Sequence, residues 1–278
     1  MNDHPLLSLP GALLVLLVLT LSCKPATTRE APCLRFVRDG VEVTTLDREA
    51  LTAAVGAVTV EEYDPYYGRR KRFRALPLRP LLQAGFGEAR EDLHYVLRAR
   101  DGYTVPLSGK RLLEPGGHLA IEDLEAPGWQ PIGPQQANPG PFYLVWSLPH
   151  QRELETHPRP WQLAAIEIAP FEAVFPHTDP GPDADEAARR GYGTFRELCV
   201  RCHAINREGG RVGPELNVPR SIVEYRPAEQ IRDYIRNPRS FRYGNMPPHP
   251  GLSDSDLDDL LAYFRVMSGK KHDPEATR

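Results

Sequence analysis

The sequence predicts a protein of two regions, an α+β region that is mainly β, followed by an all-α domain. In residues 34–175, short runs of alternating apolar and polar residues end at proline or glycine, and the whole chain contains 29 Pro and 22 Gly. Such runs are typical of strands joined by turns. In residues 187–270, apolar residues recur instead at helical spacing. The proline-rich residues 176–186 are expected to link the two regions as a semi-rigid spacer.

Strands and two short helices account for most of the first region. The alternation of residue types places the apolar side chains of each strand on one face. The predicted strands are 57–63, 93–98, 142–147 and 163–168, and the predicted helices are 47–55 and 78–84.

A run of basic residues, Arg69-Arg-Lys-Arg-Phe-Arg74, lies in a predicted hairpin of the same region. Alternating basic residues protect an exposed strand from pairing with other chains, so a solvated edge strand is the default interpretation. A docking site for an acidic partner or for anionic headgroups is the alternative.

Three helices are predicted in the second region. The first covers 184–198 and the second 227–236, and Pro238 ends the second. The third begins at Ser253, the expected N-cap, and acidic residues in its first turn suit the helix dipole. Its apolar face is formed by Leu257, Leu260, Leu261, Phe264 and Met267.

The first of these helices ends in the motif Cys199-Val-Arg-Cys202-His203. The spacing C-x-x-C-H is that of a c-type haem attachment site. Two thiols one helical turn apart can each add to a haem vinyl group, and His203 then lies below the iron as an axial ligand. A bare C-x-x-C would suit zinc or a redox dithiol equally well, but the histidine favours haem. We therefore expect one covalent haem c, held by Cys199 and Cys202.

Two later segments resemble the class I cytochrome c family. Gly213-Pro214 follows the motif closely, and a Met-Pro turn at Met246 follows further along the chain. The resemblance implies that Pro214 packs against the haem and against His203, the proximal ligand, and that Met246 is the distal ligand. A thioether ligand favours the ferrous state, so His/Met ligation suits electron transfer.

Two details of this resemblance remain open. His249 is the alternative distal ligand, and a bis-His site would have a lower reduction potential. The family also implies a crossing of the first and last helices at a glycine and aromatic residues. Gly191 or Gly193, together with Phe195 and Tyr263, resembles that contact.

Three short segments of residues 34–175 are similar to the molybdopterin-binding domain of the sulfite-oxidase family. They are Thr44–Asp47, Phe73–Leu82 and Arg98–Leu107. That family binds molybdenum through a cysteine thiolate, whereas no Cys occurs from Leu34 to Leu198. We therefore expect the domain to lack molybdenum. The residues that remain as candidates to line a pocket there are His94, His118, His150 and His157.

The N-terminus has the features of an export signal. Leu13–Leu21 is an apolar run shorter than a membrane span, as in a secretory signal. Leu19-Thr-Leu-Ser-Cys23 resembles a bacterial lipobox, which implies cleavage before Cys23 and lipidation of its thiol. Residues 1–23 are then signal peptide and lipobox, residues 24–33 are a tether, and the protein is expected in the bacterial periplasm on a lipid anchor.

A plain secreted protein is the alternative to a lipoprotein. Export itself is expected in both cases, because haem is attached outside the bacterial cytoplasm in the cytochromes that this chain resembles. Cys33 is expected to be an exposed or half-buried thiol, and a disulfide with Cys23 would be possible only without lipidation.

Two classes of function follow. The first is an electron carrier, whose haem transfers single electrons to and from a redox partner protein in the periplasm. In that case the N-terminal domain positions the haem domain against this partner. The second is an oxidoreductase, whose N-terminal domain binds a substrate or a pterin cofactor while the haem removes electrons. The missing molybdenum-binding cysteine favours the carrier.

The charge distribution bears on the partners. The formal net charge is −3, and no nucleic-acid partner is expected for an exported haem protein. Residues 34–186 contain 16 basic and 23 acidic side chains, whereas residues 187–272 contain 15 and 10. Opposite signs of charge would help the two regions to dock, and a basic haem domain would attract an acidic partner.

Overall fold

The computed structural model describes residues 32–133, 135–242, 244 and 246–276. The predicted signal peptide and lipobox in residues 1–23, with Cys23, and most of the predicted tether over 24–33 lie outside these residues. Within the described ranges, no helix combines the length and the apolar character that a membrane span needs.

The region before residue 176 contains a five-stranded sheet and a four-stranded sheet. The five-stranded sheet has the order β2-β1-β9-β5-β6, in which β1 and β9 are parallel, and the four-stranded sheet has the antiparallel order β3-β4-β7-β8. The strands are β1 (Cys33–Arg38), β2 (Val41–Asp47), β3 (Val58–Asp64), β4 (Arg69–Pro77), β5 (His94–Ala99), β6 (Thr104–Ser108), β7 (Gly117–Asp123), β8 (Tyr143–Trp146) and β9 (Leu163–Ile168). The predicted mainly-β α+β class is confirmed.

Short helices pack beside the sheets. The predicted helix at 47–55 is confirmed, with Asp47 as its N-cap, because the Asp47 carboxylate accepts a hydrogen bond from the backbone N–H of Ala50 at 2.8 Å. Cys33, at the start of β1, is half-buried, as predicted. The helices are α1 (Arg48–Val55), α2 (Leu78–Phe86), α3 (Gly109–Leu112) and α4 (Phe171–Val174).

The main apolar core lies between the two sheets and helices α1 and α2. Phe36 and Leu97 of the five-stranded sheet and Trp146 of the four-stranded sheet are buried in it. The other face of β5 contributes Val96 to a second core, formed with Phe171 and the helices of the C-terminal region. The five-stranded sheet therefore has apolar packing on both faces.

The interpretation of Arg69–Arg74 as a solvated edge holds for its four arginines, which are exposed, but is wrong for Lys71, which is buried inside the sheet. These residues begin β4, which pairs with β3 along the whole run and with β7 only from Phe73 onward. Acidic side chains of the neighbouring segments pair with the basic ones, as in Arg70–Glu61 at 2.6 Å and Arg69–Glu125 at 2.7 Å. The run is thus neutralised within the sheet by cross-strand pairs.

Charged side chains are also buried in the four-stranded sheet. The Lys71 Nζ atom, fully buried, lies 2.8 and 2.9 Å from the carboxylate oxygens of Asp123. The Arg159 guanidinium, also buried, contacts the Glu62 carboxylate at 2.6 and 3.1 Å. Each buried charge has an opposite charge as partner, which is the condition under which ionised groups occur in a protein interior.

The C-terminal region is helical, as predicted. Helix α5 begins after Asp185, whose carboxylate caps it, and passes into a π-helical turn at Phe195–Cys199. Helix α7 ends before Pro238, and Ser253 caps helix α8, both as predicted. The elements are α5 (Glu186–Thr194), β10 (Ala204–Ile205), β11 (Glu208–Gly209), α6 (Ile222–Tyr225), α7 (Ala228–Arg236) and α8 (Asp254–Ser268).

Helices α5 and α8 cross at Gly191. A Cβ atom added there would lie 2.0 Å from the carbonyl oxygen of Asp259, so only glycine permits this approach. The rings of Phe195 and Tyr263 pack beside the crossing with centroids 5.4 Å apart. Of the two glycines considered from the sequence, Gly191 is therefore the contact, whereas a Cβ at Gly193 would meet nothing within 4 Å.

We expect Gly191→Ala to destabilise this crossing by about 1–3 kcal/mol, because the added methyl group forces the two helices apart. The matched control is Gly193→Ala, which gains helix propensity without a clash and is expected to be neutral or to stabilise by up to about 1 kcal/mol. Urea unfolding followed by circular dichroism measures both. Equal midpoints for the two variants would contradict a glycine-dependent crossing.

The predicted linker packs against the C-terminal region. Thr178 is fully buried, and its carbonyl oxygen accepts a hydrogen bond from the Tyr263 hydroxyl at 2.7 Å. The Lys270 ammonium group donates to the Pro180 carbonyl at 2.6 Å. The described residues from 32 to 276 accordingly belong to one compact unit.

Candidate haem-binding site

The C-x-x-C-H residues lie where α5 ends in its π-helical turn. The Val200 N–H donates to the carbonyl oxygen of Phe195, five residues back, at 2.9 Å. The Cys199 carbonyl then accepts hydrogen bonds from the N–H groups of Cys202 at 3.1 Å and His203 at 2.9 Å. This tight turn brings both thiols and the imidazole of the motif to one end of the helix.

The His203 ring is held by the segment that contains Gly213 and Pro214. Its Nδ1 atom lies 2.8 Å from the Pro214 carbonyl oxygen, which acts as the acceptor of an Nδ1–H. A Cβ atom at Gly213 would come within 2.5 Å of the ring, so the glycine is needed for this contact. With Nδ1 engaged by a carbonyl, Nε2 is the nitrogen that can bind a metal, as is usual for ligating histidines.

The protonation state of His203 suits ligation. Burial lowers the pKa of His203, and the nearby His249 lowers it further, while the hydrogen bond to the Pro214 carbonyl acts in the opposite direction. The imidazole is therefore neutral at neutral pH, which is the form that binds iron.

The surroundings of Cys199 and Cys202 disfavour the thiolate form of both side chains. Burial raises the pKa of Cys199 to about 12 and that of Cys202 to about 11. Zinc sites and disulfide oxidoreductases need a thiolate, and redox-active C-x-x-C thiols have lowered pKa values. A thioether carries no charge, so these surroundings fit cysteines bonded to haem vinyl groups.

The predicted distal residues lie on the loop between α7 and α8. Met246 is half-buried there, and its neighbours Tyr243 and Asn245 are outside the described residues. His249 is tied to α7 by its N–H, which donates to the Ile235 carbonyl at 3.1 Å. His249 acts to lower the pKa of His203, so the two imidazoles are close enough to interact electrostatically. Met246 lies on the same loop as His249.

Residues of the N-terminal region cover the motif near Cys202. The Thr104 N–H donates to the Arg201 carbonyl at 2.9 Å, and the Arg211 N–H donates to the Gly102 carbonyl at 3.0 Å. Burial raises the pKa of Tyr103 to about 12, while the nearby Arg201 acts in the opposite direction. The backbone of one turn, Gly102–Thr104, is therefore paired with the segment that contains the C-x-x-C-H motif and Arg211.

Sequence reasoning did not identify these covering residues. The turn belongs to the segment Arg98–Leu107, which resembles molybdopterin-binding domains. The charge pattern of this segment does not indicate a contact with the C-x-x-C-H motif. Leu154 and Glu155, which also contact the C-terminal region, lie in a loop with no distinctive motif.

The four candidate histidines of the N-terminal region do not line one pocket. His157 is buried and lies 3.0 Å from the Glu114 carboxylate, and His118 contacts the Gly116 carbonyl at 3.0 Å. His94 instead lines a cleft of about 690 Å³ between the five-stranded sheet and the outer face of the helix that leads into the C-x-x-C-H motif. Among the described residues, no three His, Cys, Asp or Glu side chains are grouped as a metal site.

Comparison with known proteins gives a family for the C-terminal region. Residues 186–264 match the family described as cytochrome C oxidase, cbb3-type, subunit III. A segment of 88 residues is 35% identical to cytochrome c oxidase subunit 2 of Alkalihalophilus pseudofirmus. That match covers 29% of this chain and 25% of the relative. The family match begins at residue 186, so the resemblance of the N-terminal region to molybdopterin domains stays a prediction.

Proposed function

Because residues 186–264 form a cytochrome c domain, we propose that the protein is an electron carrier with one covalent haem c. The observation that carries this proposal is the His203 ring, whose Nδ1 atom is fixed on the Pro214 carbonyl at 2.8 Å. The ring is thereby oriented for ligation through Nε2, next to two cysteines at the spacing of haem vinyl groups.

Each residue of the site has a separate role in this proposal. Cys199 and Cys202 hold the haem covalently, His203 is the proximal ligand, and Pro214 fixes its ring. Met246 is the distal ligand, carried on the loop between α7 and α8. When bound, the haem supplies a one-electron couple whose potential depends on these axial ligands. The chain's own contribution is to position these ligands.

The N-terminal region is proposed to dock the haem domain and to present it to a redox partner in the periplasm. Its contacts to the C-terminal region support this role, among them the Arg196–Glu172 pair at 2.9 Å across the boundary. The net positive charge of residues 187–272 would favour an acidic partner surface. The name of the relative from Alkalihalophilus pseudofirmus is consistent with a respiratory partner.

The competing oxidoreductase hypothesis has less support. A molybdenum site of the sulfite-oxidase type needs a cysteine thiolate, and no Cys occurs between Leu34 and Leu198. Metal analysis of protein from its native host, combined with a potentiometric titration, separates the two functions. We expect one iron per chain and a single one-electron transition. Stoichiometric molybdenum would support the oxidoreductase, and a chain without iron would refute both.

We further propose that Cys23 anchors the protein to the membrane as a lipid-modified N-terminus. Cys23→Ser is then expected to move nearly all of the protein from the membrane fraction to the soluble periplasmic fraction, because the acyl chains provide the membrane affinity. Cys33→Ser is the matched control and should remain with the membranes. Fractionation followed by haem staining measures both. Unchanged membrane association of Cys23→Ser would refute the anchor.

A further inference from the structure

One segment of the N-terminal region, Leu154–Glu155, contacts the haem-attachment motif. The Arg201 guanidinium, from within C-x-x-C-H, donates to the Leu154 carbonyl at 3.3 Å and to the Glu155 carbonyl at 2.7 Å. Both acceptors are backbone atoms, so this contact does not depend on the Glu155 side chain.

The Glu155 side chain makes a different contact, to the loop that contains Met246. Its Oε1 atom lies 3.3 Å from Nδ1 of His249. The His249 side chain is only 13% exposed, whereas that of Glu155 is 61% exposed. The carboxylate thus reaches from the surface of one region to a largely buried side chain of the other.

The Leu154–Glu155 segment is itself firmly held. The carbonyl of Glu153 accepts a hydrogen bond from the His157 N–H at 2.8 Å. The His157 ring is buried, lies 3.0 Å from the Glu114 carboxylate, and packs edge-on against Trp146 at 5.0 Å. A side chain fixed on this segment can therefore restrain the loop that it contacts.

We infer that Glu155 is a positioning residue for the distal-ligand loop. The segment contacts two parts of the C-terminal region, with its backbone on Arg201 of the C-x-x-C-H motif and its carboxylate on His249, three residues from Met246. A methionine thioether is a weak ligand, so its occupancy depends on how well the loop is placed. This inference rests on the proposed function, in which that loop supplies the distal ligand.

The test compares Glu155→Gln and Glu155→Ala with Glu153→Gln, a change at the exposed neighbouring acid. Hydrogen–deuterium exchange of residues 246–252 is expected to be several-fold faster in the two Glu155 variants than in the control. Imidazole added to the ferric protein competes with the distal ligand for the iron. In the two Glu155 variants the apparent Kd of imidazole is expected to fall about five-fold, because the loop that carries the distal ligand has lost one partly exposed ion pair. Exchange at residues 199–204 should not change, since Arg201 binds backbone carbonyls.

A double variant tests the route of the effect. His249→Ala alone should reproduce the faster exchange, and adding Glu155→Gln to it should produce no further change. Unchanged exchange at 246–252 in Glu155→Gln would overturn the inference, as would faster exchange confined to 199–204. If Met246→Ala left the haem spectrum unchanged, the ligand assignment would fail, whereas the exchange result would still report on Glu155.

Discussion

Replacing Cys199 and Cys202 together with alanine is expected to abolish covalent haem attachment, so that no haem-staining band survives denaturing electrophoresis. Both thioether bonds need these sulfur atoms, and His203 alone binds haem only reversibly. The apolar core that contains Phe195 and Tyr263, against which Cys199 packs, would also lose any contacts that an attached haem supplies. We therefore expect a lower unfolding temperature of the C-terminal region.

Cys33→Ala is the matched control for this experiment. Cys33 lies at the start of β1 in the N-terminal region and is expected to have no part in haem attachment. Its variant should retain the full haem stain and the wild-type absorption spectrum. A persistent haem band in the Cys199→Ala/Cys202→Ala protein would show that the attachment assignment is wrong.

Replacing Met246 is expected to have the second-largest effect. Ferric His/Met haems show a weak charge-transfer band at the red end of the visible spectrum, as the class I resemblance implies for this chain. The band should vanish in both Met246→Ala and Met246→His. The histidine variant should also have a reduction potential lower by on the order of 100 mV, because imidazole stabilises the ferric state and axial ligands tune potentials over a range of about 0.8 V.

Met267→Leu is the control for this prediction. Met267 is buried in the apolar face of α8, as the helical spacing predicted, and its replacement should leave the band and the potential unchanged. If Met246→Ala left the spectrum of the ferric protein unaltered, His249 would become the first candidate for the distal ligand, in keeping with its place near His203.

The C-terminal elements could be predicted from sequence because their signals are local. The Ser253 cap, the stop at Pro238 and the C-x-x-C-H spacing each depend on neighbouring residues only. The π-helical turn at Phe195–Cys199 was not predicted, since a continuous helical pattern does not reveal a widened turn.

The features missed in the N-terminal region depend on partners distant in sequence. Lys71 was interpreted as solvated because its partner Asp123 is 52 residues away and pairs with it only once β4 and β7 are adjacent. The contact of Glu155 with His249 joins residues 94 positions apart. No local pattern carries that information, and a single charged residue in a loop is most often solvated.

The packing of residues 176–186 limits how far the C-terminal region could move relative to the sheets. Tyr263 and Lys270 hold Thr178 and Pro180 against the C-terminal region, so the segment does not act as a flexible arm. A tethered shuttle would sample a volume set by the length of its linker. In the proposed function, a haem held by the C-terminal region would keep one orientation relative to the sheets, and an incoming protein would have to find that orientation by rotating the whole molecule. The rate of electron transfer to a partner would then depend on the geometry of the encounter and on ionic strength. Lengthening residues 176–186 would disturb their packing against the C-terminal region and would not let that region reach further.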